Sequence, residues 1–120
     1  MRGSVDVLGT KYRITVKKYG ADPSFEAKSW DGYCDEVTKQ IVLCDMRTWP
    51  DWEKDADERI EKAMKRTLRH EIVHAFLNES GLENSTFRFD GGWATAEEMV
   101  DWIALQGPKI WAAWQAAGAV

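Results

Sequence analysis

The first third of the chain alternates apolar and polar residues with a period of two. The alternation is clearest between Lys11 and Lys17, where the apolar positions are Tyr12, Ile14 and Val16. A period of two built from β-branched and aromatic residues is typical of a half-buried strand. A shorter apolar stretch, Val5 to Leu8, precedes it across a break at Gly9-Thr10. We therefore expect the chain to open with a small β-sheet.

A β-hairpin is predicted for Trp30 to Asp45. Its first arm is Gly32 to Cys34, its turn is Asp35 to Thr38, and its second arm is Lys39 to Asp45. The second arm is apolar on both faces, which indicates a strand that is covered on both sides. The segment before the hairpin, Tyr19 to Ser29, contains glycine, proline and serine and is predicted to be a loop.

A long helix is predicted from about Asp55 to Ser80. Acidic residues near its start suit the positive end of the helix dipole, and Gly81 offers a left-handed stop. One stripe of this helix is formed by Ile60, Met64, Leu68, Glu71 and Ala75.

Two shorter helices should follow. The first would run from Ala96 to about Gln106 and would begin with a capping box between Thr95 and Glu98. Gly107-Pro108 should end it, and a last helix would run from Lys109 to about Ala117. The elements together predict an α+β fold in a single domain covering residues 1–120. In that fold the N-terminal sheet packs on the long helix, and the two shorter helices follow.

The long helix carries the pattern HExxH, which includes both histidines of the protein, His70 and His74. Residues four apart lie on one face of a helix, so the two imidazoles can bind one zinc ion. Glu71 lies beside them and is suited to take a proton from water activated by the metal. The alternative is a helix with two core or solvated histidines, but burying these three side chains is costly unless they are paired.

A catalytic zinc ion takes three protein ligands, and the chain has no third histidine. The acidic residues of the next helix are the candidates. Glu97 is favoured because it shares a face with Asp101, which can orient a ligand histidine. Glu98 and Asp101 stay open as alternative ligands, and a solvated helix N-terminus would also explain these acids. Ligation by Cys34 or Cys44 is a minor alternative.

These residues resemble those of zincin-like metallopeptidases of the gluzincin type, in which a glutamate on a second helix, often in ExxxD, completes HExxH. The matching segments are His70 to His74 and Glu97 to Asp101. The chain is similar, more closely, to small peptidases of phages and mobile elements that are related to the ImmA/IrrE-type and SprT-like families. Their second helix often reads Glu-x-x-Ala-Asn-x-Phe-Ala; Glu97 to Ala104 follows this pattern and departs from it at Val100, Asp101 and Ile103. The resemblance implies a minimal zincin-like fold and a phage or prophage origin.

The expected function is therefore hydrolysis of peptide bonds, with zinc as cofactor, a peptide or protein as substrate and Glu71 as general base. Tyr33 and Arg88 are weak candidates to stabilise the oxyanion. If the strand Lys39 to Asp45 lies at a sheet edge, it could hold an extended peptide. The runner-up is a zinc-stabilised binding or regulatory domain without turnover, against which the presence of Glu71 argues.

Composition and charge limit the partners and the cellular location that we expect. The net charge of −4 and the absence of a basic block argue against a nucleic-acid partner. No apolar run approaches a membrane span, and the N-terminus is too short and polar for a signal peptide. We expect a cytoplasmic monomer.

The two cysteines should lie on opposite arms of the hairpin. Cys34 would face Gln40 or Ile41 rather than Cys44, so both thiols are expected to be free. Seven tryptophans are many for this length. An aromatic core is favoured over an apolar wall near a cleft.

Overall fold

The computed structural model describes residues 1–85, 93–118 and 120. These residues form an α+β fold with one mixed, four-stranded sheet. The strands are β1 (Ser4–Val7), β2 (Thr10–Lys18), β3 (Gly32–Asp35) and β4 (Gln40–Asp45). The helices are α1 (Pro23–Lys28), α2 (Asp57–Glu79), α3 (Leu82–Ser85) and α4 (Glu97–Ala116). No helix among the described residues is long and apolar enough to cross a membrane.

The strand order in the sheet is β1-β2-β4-β3. The pairs β1/β2 and β3/β4 are antiparallel, whereas β2 and β4 run parallel. Leu8 and Gly9 both have positive φ and form the two-residue turn between β1 and β2, so Leu8 belongs to the turn and not to the strand. Cys34 lies opposite Ile41, as the predicted hairpin requires, and both cysteines are free.

The strand order corrects one expectation. The predicted peptide-binding strand, Lys39 to Asp45, is not an edge strand, because β4 lies between β2 and β3. Local alternation does not reveal this, since the pairing of β2 with β4 joins segments that are distant along the chain. The edge strand of this hairpin is β3.

The two faces of β4 explain why its residues are apolar on both sides. Ile41 and Leu43 pack towards α2 with Tyr12 and Ala75, while Val42 packs in a second buried cluster with Phe25 of α1.

The prediction of a loop from Tyr19 to Ser29 is wrong. This segment contains a 3-10 turn and α1, whose first turn is capped by the Asp22 carboxylate and begins with Pro23.

Helix α4 differs from the prediction at both ends. The residue before it is Ala96 and not Thr95, which belongs to a preceding 3-10 turn, so the helix begins one residue later than predicted. The helix also continues through Gly107-Pro108 to Ala116, so that the two predicted helices are one. Pro108 is tolerated because Nε of Arg69 donates to the Ala104 carbonyl, which lacks its usual helical donor.

Most tryptophans do not form the expected aromatic core. Trp49 and Trp52 pack against a buried cluster, but five others are at least 41% exposed: Trp30, Trp93, Trp102, Trp111 and Trp114. Helix α4 buries only Val100 and Ala104, so its remaining faces, with three of these indoles, lie at the surface.

Candidate metal centre

Helix α2 presents both histidines on one face. His70 and His74 are one turn apart, and their Nε2 atoms lie 3.1 Å from each other. The rings meet edge to face with centroids 4.8 Å apart, so the two imidazoles lie against each other on this face. The helix is set in this orientation by Leu68, Ile72 and Ala75, which pack on the sheet.

Helix α4 brings two carboxylates to the same place. The Glu97 carboxylate lies 3.0 Å from Nε2 of His70 and 3.1 Å from Nε2 of His74. Asp101, one turn later, lies 2.7 Å from Nδ1 of His70. Glu97 thus approaches the nitrogen atoms that face each other, whereas Asp101 approaches the far side of one ring.

These separations fit a tetrahedral metal ion. With metal–ligand bonds of about 2.0–2.1 Å, neighbouring ligand atoms in a tetrahedron lie about 3.3 Å apart. The two Nε2 atoms and the Glu97 carboxylate are 3.0–3.3 Å from one another. Two imidazoles and one carboxylate are also the donor set of a zinc site that keeps one position open for water. The residues present therefore fit a zinc ion.

The surroundings of each histidine suit a metal ligand in a different way. Asp101 lies at Nδ1 of His70, on the other side of the ring from Nε2, so it can orient the ring by accepting from Nδ1 when Nε2 binds a metal. Burial lowers the pKa of His74, against the opposing effect of Glu97, and so favours the neutral ring that can bind a metal.

Glu71 lies next to this group and is only 5% exposed. Burial raises the pKa of its carboxyl to about 7, with further contributions from the negative charges of Glu97 and Asp31 and an opposing one from His70. One Glu71 oxygen is 4.0 Å from Nε2 of His70. His70, Glu71 and His74 each offer a ligand atom within 4.8 Å of the others, so they form a group that can hold a metal ion.

The group lies in a cleft of about 610 Å³ between α2, β3 and the start of α4. Among the described residues, six acidic side chains and one arginine line it. We call His70, His74, Glu71, Glu97 and Asp101 the metal group. The other acidic residues of the cleft are Asp31, Glu36 and Glu83, and the arginine is Arg66. The cleft is therefore strongly electronegative before any cation binds.

The other predicted site residues do not join the histidines and Glu97. Glu98 is exposed on α4 and does not line the cleft. Tyr33 does line the cleft, but its hydroxyl donates to Asp22 at 2.6 Å, on the opposite face of β3 from Cys34, so it is not directed at the histidines. Burial and this hydrogen bond raise the pKa of Tyr33 to about 12. Arg88 lies outside the described residues.

Two contacts that the sequence pattern did not indicate position α2 against β3. The Thr67 hydroxyl lies 2.9 Å from the Asp31 carboxylate, to which it donates, one turn before His70. A Cβ atom at Gly32 would lie 2.8 Å from Cγ2 of Thr67, so only glycine lets the helix approach this closely. The only sequence signal for this packing is the glycine at the start of a short strand.

Comparison with protein-family models, with curated proteins and with solved structures finds no match.

Proposed function

We propose that this protein is a zinc-dependent peptidase in which His70, His74 and Glu97 hold the metal and Glu71 is the general base. The observation that carries the proposal is the convergence of two Nε2 atoms and a carboxylate at 3.0–3.3 Å beside a buried glutamate. Three protein ligands with an open position favour a catalytic site over a closed, four-ligand structural site.

A bound zinc ion would supply a Lewis acid that polarises a carbonyl and lowers the pKa of a water molecule. Glu71 is placed to accept the proton from that water and later to donate it to the leaving amine. Its carboxyl has a pKa near neutrality because it is buried, which suits a group that must both take and return a proton. Asp101 holds the His70 ring in the orientation that presents Nε2.

Strand β3 is suited to hold an extended peptide along the cleft. It is an edge strand. The hydrogen bond from the Cys44 N–H to the Asp31 carbonyl shows which of its residues direct their backbone groups at β4 and which direct them away. The backbone N–H and C=O groups of Gly32 and Cys34 therefore point away from β4. Cys34 also lines the cleft, so a peptide paired with this edge would pass the metal group.

The charge of the cleft indicates which peptides would bind. Six acidic residues against one arginine leave an excess of negative charge even after a divalent cation has bound. Electrostatic complementarity then favours peptides with lysine or arginine over acidic peptides, and added salt should weaken this preference.

The arrangement also supports the resemblance to zincin-like peptidases of the gluzincin type. In this proposal the HExxH helix packs on a small sheet, and the Glu97–Asp101 pair on α4 supplies the ExxxD element. The same resemblance is the basis for proposing a phage or prophage origin.

The test is the cleavage of a peptide library by the zinc-loaded wild type and by Glu71→Gln. The amide keeps the size of the side chain but cannot act as a base, so cleavage should fall by about 100-fold or more. Zinc content and melting temperature should stay near those of the wild type. Glu98→Gln is the matched control, since it removes an exposed carboxylate of the neighbouring helix and should cleave at the wild-type rate.

Two results would count against the proposal. If wild type and Glu71→Gln cleave equally, the hydrolysis does not use this site. If the wild type binds zinc and a specific partner but cleaves no peptide, the protein is a zinc-stabilised binding domain.

A further inference from the structure

Helix α4 contains a proline at a position where helices normally break. Pro108 has no N–H group, so the carbonyl four residues earlier, that of Ala104, loses its helical donor. Ala104 is 1% exposed, so its surroundings offer little water to replace the missing donor. A buried carbonyl without a donor would oppose close packing of α4 on its neighbour.

Arg69 of α2 supplies the missing donor. Its Nε lies 2.7 Å from the Ala104 carbonyl oxygen, to which it donates. Arginine stays protonated at all physiological pH values, so this bond does not depend on titration or on a metal. It therefore joins the two helices in the apo protein.

This bond belongs to a row of polar contacts along the antiparallel pair of helices, in which Glu97 also lies 3.0 Å from His70. From the C-terminal end of α2 backwards, His74 contacts Glu97, His70 contacts Asp101, and Arg69 contacts Ala104. An apolar cluster also joins α2 to α4 and to the turn before it, through Leu77, Ala94 and Val100, with Val73 and Met99 packed on it. The Arg69 bond adds a contact one turn further along α4 than Asp101.

We infer that Arg69 is a positioning residue: by satisfying the carbonyl that Pro108 leaves open, it lets α4 close on α2 with Glu97 and Asp101 at the histidines. Arg69 does not touch the metal group itself. Losing Arg69 should lower the affinity for the metal, because Glu97 and Asp101 both lie on α4 and depend on where that helix packs. The inference rests on the proposed metal site and adds a determinant outside it.

The experiment is a double-mutant cycle with zinc affinity as the readout. Zinc is titrated into apo wild type, Arg69→Ala, Pro108→Ala and the double variant, in competition with a chelator. Arg69→Ala should weaken zinc binding by about tenfold or more, in the range seen when groups that orient metal ligands are removed. Pro108→Ala gives the Ala104 carbonyl a helical donor, so the loss caused by Arg69→Ala should be several-fold smaller in that background.

Two controls separate positioning from general destabilisation. Arg59→Ala removes an arginine of the same helix that pairs with Asp55, and it should leave zinc affinity unchanged. Glu79→Gln weakens the attachment of α2 to β2 without touching α4. It should therefore lower the melting temperature but leave the zinc affinity close to that of the wild type. Should Arg69→Ala fail to fold, Arg69→Met, which keeps the aliphatic stem but has no donor, is measured in both backgrounds with the same expected pattern.

Each outcome decides one question. A wild type that binds no zinc removes the proposed function and this inference together. Zinc affinity that is equal in wild type and Arg69→Ala overturns the inference alone. An equal loss with and without Pro108 also overturns it, since Arg69 would then not act through the Ala104 carbonyl.

Discussion

The two helices that form the metal group are held in different ways. Helix α2 is fixed to the sheet along its length, by buried residues from Ile60 to Ala75 and by polar contacts. Near its end, Glu79 accepts hydrogen bonds from Tyr12 and Thr10 of β2. The positions of the two histidines and Glu71 are therefore set by the core of the protein.

Helix α4 depends on α2 for its position. Among its described residues only Val100 and Ala104 are buried, and the half beyond Pro108 is mostly exposed. Its attachment consists of one apolar cluster, the Arg69 bond and the contacts between histidines and carboxylates. One half of the site is thus built by the core, and the other half is brought to it by a helix interface.

The largest effect should come from removing the ligand on the weakly held helix. Glu97→Gln leaves two histidines and an amide that binds zinc poorly, so zinc affinity should fall by more than about 100-fold. This loss should exceed that caused by removing a group that only orients a ligand. The melting temperature of the apo protein should change little, because Glu97 is exposed. Chelator competition measures the first quantity and calorimetry the second.

The matched variant Glu98→Gln should keep the zinc affinity of the wild type. If instead Glu98→Gln loses zinc and Glu97→Gln retains it, the assignment of the third ligand is wrong by one residue, while the site on α2 stays in place.

The sequence could predict the α2 half of the site because its signals are local. The positions of His70, Glu71 and His74 follow from helical spacing. Gly81, which follows the helix, has a positive φ as expected of a left-handed stop. The distance between Glu97 and Asp101 also placed both on one face of their helix. Spacing within a single helix was enough for these predictions.

The errors concern contacts between distant segments. Gly107-Pro108 normally ends a helix, but α4 continues, and Arg69 of the other helix donates to the Ala104 carbonyl that Pro108 leaves without a helical donor. The sequence suggested β4 as the edge strand, but β4 pairs in parallel with β2, from which α1 and β3 separate it along the chain. The three indoles of α4 are at least 50% exposed, which an apolar composition does not reveal.

The next largest effect should come from Asp101→Asn. The amide oxygen can still accept from Nδ1 of His70, but the loss of negative charge makes the ring a weaker ligand. Zinc affinity should fall by about 10- to 100-fold. The measurement is the same chelator competition, and an unchanged affinity would show that the 2.7 Å contact does not support the metal site.

A smaller effect, on folding rather than on metal binding, should come from the packing of α2 on β3. Gly32→Ala places a methyl group 2.8 Å from Thr67 and 3.1 Å from the Val42 carbonyl. The free energy of unfolding should fall by about 1–3 kcal/mol, as for other overpacked sites. Gly20→Ala is the control, since a Cβ there has no atom within 4 Å; urea titrations of both variants should differ clearly.

The smallest effect should be a change in acid stability. Hydrogen bonds from Lys39 and Tyr12 lower the pKa of Glu79 below its ordinary value. A carboxyl whose pKa is lowered in the folded state stabilises the protein above its unfolded-state pKa, and this contribution is lost as the pH falls through the folded-state value. Glu79→Gln should therefore be less stable than wild type at pH 7, with the difference shrinking below about pH 4. Thermal melts across this pH range would show a constant difference if the interaction does not involve the charge.

In the proposed site one metal ion joins the two helices. The most direct test of this is elemental analysis of the wild type after zinc loading and removal of free metal, with His74→Ala treated in parallel. We predict one zinc ion per wild-type chain and none in the variant, because His74 supplies one of three ligands. A wild type without bound zinc, or a variant that retains it, would contradict the assignment of this site.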